Sequence, residues 1–123
     1  MNKKLTKLNT INKNRQKIAE LYNKLIINKK LILLKYSKSC VYHQYVILVK
    51  DKKKLIHEFN LKKIGFGFHY PFAIHQLEIF KNKYKNKKFV NSERLAKEGI
   101  SIPIDPNLNQ KDLNIIVNTL NGL

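Results

Sequence analysis

Arginine, cysteine and long apolar runs are all scarce in this chain. Of its 25 basic residues only Arg15 and Arg94 are arginine; the rest are lysine. Sites that read bases or grip phosphate bidentately favour the planar guanidinium fork. The shortage of arginine therefore argues against nucleic-acid recognition despite a formal net charge of +17. Lysine is also spread along the chain, and it is abundant together with asparagine and isoleucine, which number 15 each. These three residues share A/T-rich codons, so base composition accounts for the set without any ligand. The single cysteine, Cys40, excludes an internal disulfide and cannot alone form a metal site. With no histidine base placed beside it, a buried or inert thiol is expected rather than a nucleophile. No stretch reaches the ~18 apolar residues that span a bilayer. The charged start, MNKKLTKLNTINKNRQK, has no apolar core of a secretory signal. These absences predict a cytoplasmic, non-membrane protein. Acidic residues number only eight, with no carboxylate pair placed for acid–base work. No P-loop, G-x-G-x-x-G, nucleophile elbow, internal repeat or Gly/Ser linker is present.

What is present is one domain's worth of chain with 43% apolar residues, enough for a real core. Leu8, Ile11, Ile18, Leu21, Tyr22, Leu25 and Ile26 fall on one helical stripe, so a first helix is predicted to end near Asn28. LILLKY (31–36) is apolar but too short to classify. VYHQYVILV (41–49) is rich in β-branched and aromatic residues and predicts a strand. Asp51 is placed to cap a helix through about Leu61, with Leu55, Ile56 and Phe59 inward. IGFGF (64–68) reads as a short strand whose glycines permit a bend or a close approach at Gly65 or Gly67. Pro71 stops it, and a short helix is expected to bury Ile74, Leu77 and Phe80. A further helix, capped by Asn91 or Ser92, ends at Gly99. ISIPI (100–104) predicts another strand, and Asn109 with Asp112 starts a last helix that buries Leu113, Ile116, Val117 and Leu120. The sum is an α+β plan: a small sheet with flanking helices.

The imidazoles are the candidate functional groups. His57 lies on a lysine-rich helix face and reads as a solvated residue. His43 sits within the predicted strand, with Val41 and Tyr45 on its side and Tyr42, Gln44 and Val46 on the other. A strand histidine usually serves as a hydrogen-bonded core residue. His69 and Tyr70 lie where the chain leaves a strand, a position that carries function disproportionately. His69 and His75 are six apart across a proline without carboxylate or thiol partners, so no metal site is expected. The residues taken singly support a basic α+β domain and no particular reaction.

In register, four segments resemble the DegT/DnrJ/EryC1/StrS family of sugar aminotransferases. NRQKIAELYNKL (14–25) resembles R-x-x-I-A-x-x-Y-x-x-x-L. VYHQYVILVKDKKKL (41–55) resembles the H-x-Y-V-I strand and the helix start after it. KKIGFGFHYPFAIHQLEIF (62–80) resembles G-I-x-T-x-x-H-Y-P-x-P-I-H-x-Q, and FVNSERLAKEGISIPIDPNLNQKDL (89–113) resembles F-P-x-A-E-x-x-A-x-x-x-L-S-L-P-x-x-P-x-L. Phe66, Gly67, Ala73 and Val90 depart from these patterns. The resemblance implies the C-terminal small domain of a fold-type I, pyridoxal phosphate-dependent aminotransferase. Residues 1–28 would enter from a large domain and residues 29–123 would form the small one. It implies that the Schiff-base lysine and the cofactor belong to the large domain, so this chain alone would bind no pyridoxal phosphate and be inactive. The expected partners are a large-domain aminotransferase chain or homodimer mate, with a nucleotide-sugar substrate and an amino donor such as glutamate. His69 and Tyr70 of the H-Y-P turn, and more weakly His43, are the implied substrate-binding residues, with His75 supporting the turn. Ser101, Pro103 and Pro106 are expected to be structural. The alternatives are a non-catalytic interaction module, a decayed remnant of that family or, disfavoured by the shortage of arginine, a basic nucleic-acid-binding domain.

Overall fold

The computed structural model describes residues 5–123. The first helix, α1 (Leu8–Leu25), follows its apolar stripe and buries Ile18, Ala19 and Tyr22. Its outermost stripe residue, Leu8, stays exposed. LILLKY resolves into a three-residue strand, β1 (Leu31–Leu33). Strand β2 is Tyr45–Val49, which alternates with Tyr45, Ile47 and Val49 buried. Helix α2 (Lys52–Leu61) starts at Asp51, whose side chain accepts from the Lys54 backbone N–H at 3.1 Å, as the sequence predicts. Leu55 and Phe59 point inward. After a 3₁₀ turn at Ile74–Gln76 and a short α3 (Glu78–Lys81), α4 spans Val90–Glu98 and runs straight into β3 (Gly99–Ile102). Asn109 caps α5 (Gln110–Asn121) by accepting from the Asp112 N–H at 2.8 Å.

The strands form one antiparallel sheet in the order β1-β2-β3. Leu31 pairs with Val49, Ile47 with Ile100, and Tyr45 with Ile102, so all six buried side chains share one face. That face joins Ile18, Tyr22 and Ile26, then Leu55 and Phe59, and the α5 stripe Leu113, Ile116, Val117 and Leu120 in a single core. Burial of this kind contributes roughly 1.5–3 kcal/mol per large apolar side chain. Helix α4 contacts β2 and β3 and buries Ala96. Tyrosine hydroxyls inside the core are satisfied: Tyr22 Oη donates to the Pro103 carbonyl and Asn23 Nδ2 donates to Tyr45 Oη, both at 2.7 Å. Burial pushes both phenols above their ordinary range.

Several sequence expectations are corrected. The strand predicted over 41–49 begins only at Tyr45, because Tyr42 adopts a positive φ of 48° and turns its ring into the core beside Tyr45. The alternation that would place His43 beside Tyr45 is thereby broken, and His43 is exposed, not a core residue. IGFGF is not a strand: only Gly67 pairs, in an isolated bridge to Ser101. Ile74 and Leu77 are not buried but 71% and 40% exposed, because the segment breaks into a 3₁₀ turn and one short helix. Helix α4 is capped at Phe89, not Asn91 or Ser92, with Glu93 accepting from the Phe89 N–H at 2.9 Å. Cys40 is exposed, and its Sγ accepts from the Tyr42 N–H at 3.4 Å.

Candidate functional site

The histidine-bearing loop is held against β3 by a single residue. Gly67 exchanges two backbone hydrogen bonds with Ser101, at 3.0 and 2.8 Å, on the side of β3 away from β2. Glycine is needed there for room: a Cβ on Gly67 would stand 2.8 Å from His69 Cε1. The close approach lets His69 Nδ1 reach Ser101 Oγ at 2.8 Å. Either atom can donate. The bond fixes the ring and leaves Nε2 without a partner among the described residues. Ser101 is buried, and the contact as a whole is part-buried.

His69 and His43 line the same open groove, of about 370 Å³. Gln44, Gly67, Ser101 and Asp105 contribute to its walls, and so does Arg15 from α1. The neighbours of Arg15 hold it in place. Asn14 Nδ2 donates to the Pro106 carbonyl at 3.2 Å, and Gln16 Nε2 donates to the Lys38 and Cys40 carbonyls at 2.8 and 3.0 Å. Arg15 thus stands between the loop after β3 and the loop that leads to His43. Its Nε is buried without a hydrogen-bond partner among the described residues. The groove combines a fixed imidazole, a second imidazole, an amide, a guanidinium and the Asp105 carboxylate. Such a set can donate hydrogen bonds to hydroxyl groups and accept them.

Tyr70 lies elsewhere. It is 72% exposed and borders a second depression of about 180 Å³ with Phe72, Ile74 and Leu95, which touches the first through His69. His75 clasps the turn from below: its Nε2 lies 3.1 Å from Glu93 Oε1, and its ring packs on Phe89 with centroids 4.6 Å apart. A carboxylate only accepts, so Nε2 carries the hydrogen. The backbone N–H of Phe89, and then His75, hold the Glu93 carboxyl below its ordinary range. Sequence reasoning assigned Ser101 to structure alone and passed over Arg15. The scarcity of arginine was the available signal for Arg15. For Ser101 there was none, since its partner lies 32 residues away.

Residues 1–121 match the family described as DegT/DnrJ/EryC1/StrS aminotransferase. The chain belongs to that family. Among DegT/DnrJ/EryC1/StrS relatives, it is 27% identical over 120 residues to the dTDP-3-amino-3,6-dideoxy-alpha-D-galactopyranose transaminase of Aneurinibacillus thermoaerophilus, covering 96% of this chain and 33% of the relative. Its fold matches that of S. venezuelae DesV, solved in complex with a ketimine intermediate, with a TM-score of 0.87 at 18% identity, over 96% of this chain and 33% of that one. A family aminotransferase from Brucella abortus matches with a TM-score of 0.83 at 21% identity, over 98% and 33% of the two chains. The chain therefore spans about a third of the length of these relatives. The small α+β domain inferred from the sequence is the fold observed.

Members of this aminotransferase family use pyridoxal phosphate or its amine form, PMP. The two depressions around His69 contain no lysine, so neither offers the amine that holds the cofactor as an imine. Lys52, whose ammonium is disfavoured by burial, is otherwise engaged: it donates to the Ala96 carbonyl at 3.0 Å and lies over the Phe68 ring. The residues around the groove do not fit the cofactor by themselves. Among the described residues no cluster of three or more His, Cys, Asp or Glu is placed for a metal ion, and no helix is long and apolar enough to cross a membrane.

Proposed function

We propose that this chain is the C-terminal, small-domain portion of a nucleotide-sugar aminotransferase and works beside a large domain that carries the cofactor lysine. In this reading residues 1–28 lead in from the large domain and residues 29–123 form the wall over the active site. One observation carries the proposal: in a chain that matches this family over residues 1–121, His43 and His69 line one groove. Imidazoles there would orient hydroxyl or carboxylate groups of the substrates without a permanent charge. Tyr70 would serve from the adjoining depression, as a second edge of the same pocket. The reaction would pass an amino group from a donor such as glutamate to a keto-sugar, with pyridoxal phosphate supplying the carbanion chemistry.

The test is a chimera in which this chain replaces the matched third of the Aneurinibacillus transaminase. Amino transfer to a nucleotide-linked keto-sugar is expected, with kcat/KM lowered about tenfold or more by His69→Ala, and unchanged by His57→Ala on the exposed face of α2. A folded, cofactor-loaded chimera without activity, or one indifferent to His69→Ala, would sink the proposal. The isolated chain mixed with pyridoxal phosphate is expected to show no internal-aldimine absorbance. A second reading, a non-catalytic interaction module, is favoured by the exposed apolar side chains Tyr70, Phe72, Ile74 and Ile79. Purification with an unrelated protein, together with an inactive chimera, would support that reading.

A further inference from the structure

Among the described residues, Arg15 is the only lysine or arginine that lines the groove of His43 and His69. Asn14 and Gln16, on either side of it, are tied to the Pro106, Lys38 and Cys40 carbonyls, which fixes where the arginine leaves α1. Its Nε is enclosed by protein, while the terminal nitrogens of this half-buried side chain stay open. The chain's other arginine, Arg94, is paired with Glu98 at 2.9 Å.

The guanidinium of Arg15 has no such partner: no hydrogen bond and no ion pair joins it to any described residue. Enclosed donors nearly always find an acceptor, so a guanidinium held in place without one marks where an acceptor comes from outside. Asp105 does not supply it. That carboxylate lines the same groove but is exposed, lies beyond ion-pair distance of Arg15, and accepts from the Asn107 N–H at 2.7 Å.

We propose that Arg15 docks a carboxylate ligand in this groove through its two terminal nitrogens, and that the ligand is the amino donor. The carboxylate site stands on the geometry, whereas the donor assignment rests on the aminotransferase reading. A planar carboxylate accepts two parallel N–H bonds from such a fork. Charge selects a carboxylate over the diphosphate of a nucleotide sugar. The lining holds no lysine and includes Asp105, so the groove offers a single guanidinium to a doubly charged group. The donor's carboxylate would then lie beside His43 and His69, and the nucleotide end of the sugar substrate would lie outside the groove.

Arg15 and Arg94 are the only arginines, so their two Nε–H signals in a ¹H–¹⁵N spectrum give the site and its control together. The full chain is titrated at constant ionic strength with glutarate, with its neutral diamide glutaramide, and with inorganic phosphate. Glutarate is expected to shift Arg15 Nε–H and the His43 and His69 rings saturably, and to leave Arg94 in place. At Arg15 it should bind about tenfold more tightly than inorganic phosphate, and glutaramide should shift nothing. No shift at Arg15, equal shifts at both arginines, or phosphate binding there as tightly would overturn the proposal. In the chimera, Arg15→Gln should lower kcat/KM for glutamate about tenfold or more, and far more than kcat/KM for the keto-sugar; Arg15→Lys should recover part of the loss. Equal losses for both substrates would assign Arg15 to a contact with the large domain and overturn the donor assignment. A chimera inactive even with Arg15 intact would remove the donor assignment together with the aminotransferase reading, and the glutarate titration would still decide the carboxylate site.

Discussion

At the scale of single residues, the contact that decides the geometry of the groove is His69 Nδ1 to Ser101 Oγ. Ser101→Ala removes the partner of a part-buried imidazole and is expected to cost about 1 kcal/mol. More tellingly, it should free the ring: long-range ¹H–¹⁵N NMR should show His69 shift from one tautomer to a mixture. An unchanged tautomer signature would count against the role given to Ser101. Gly67→Ala approaches the same ring from the other side, since the new Cβ would meet His69 Cε1 at 2.8 Å. It is expected to push the ring off Ser101 while the Gly67–Ser101 bridge survives, so that the His69 signals change and the Ser101 amide stays protected from exchange. Loss of that protection would mean that the bridge, not the ring, had yielded. A glycine needed for close approach was legible in the sequence, but not which of the two it was. Gly65 has nothing within 4 Å of where its Cβ would stand.

At the scale of elements, the caps and the clasp do most of the positioning. Helix α4 passes into β3 at Gly99, where an added Cβ would collide with the Leu95 carbonyl. Gly99→Ala should therefore destabilise the chain by about 1–3 kcal/mol, seen as a lower urea midpoint. Its φ of −70° is open to alanine. Crowding, not backbone strain, is the cause. The clasp of His75 and Glu93 gives a pH dependence whose sign is fixed. The folded carboxyl is held below its ordinary value of 4.5, first by the Phe89 N–H and then by His75. The clasp therefore contributes stability above the ordinary carboxylate range and loses it as pH falls through the lowered value. Amide shifts of residues 73–76 and 89 are expected to titrate there, and Glu93→Gln should abolish that titration. Titration persisting in Glu93→Gln would assign it to another group. The caps at Asp51 and Asn109 were legible because the capping side chain is local to the helix it starts. The burial of residues 74 to 80 was not: a stripe of Ile74 and Leu77 predicts an inward face only if the helix is long enough to have one.

At the scale of the whole molecule, charge and packing pull in opposite directions. A chain of 123 residues with a net charge of +17 repels itself in the compact state. Raising NaCl from about 20 mM to about 300 mM shortens the screening length and should raise Tm. A flat or falling Tm would mean that attractive pairs outweigh the repulsion. The sequence by itself determined the α+β class, the inward stripes of α1, α2 and α5, and the family, because periodicity, capping and motif order are properties of neighbours along the chain. Only the tertiary structure decided that His43 leaves the core, that it meets His69 and Arg15 in one groove, and that Tyr70 falls outside it. Those relations join residues tens of positions apart, and they follow from where β3, α1 and the loop at Gly67 pack. No local pattern encodes that.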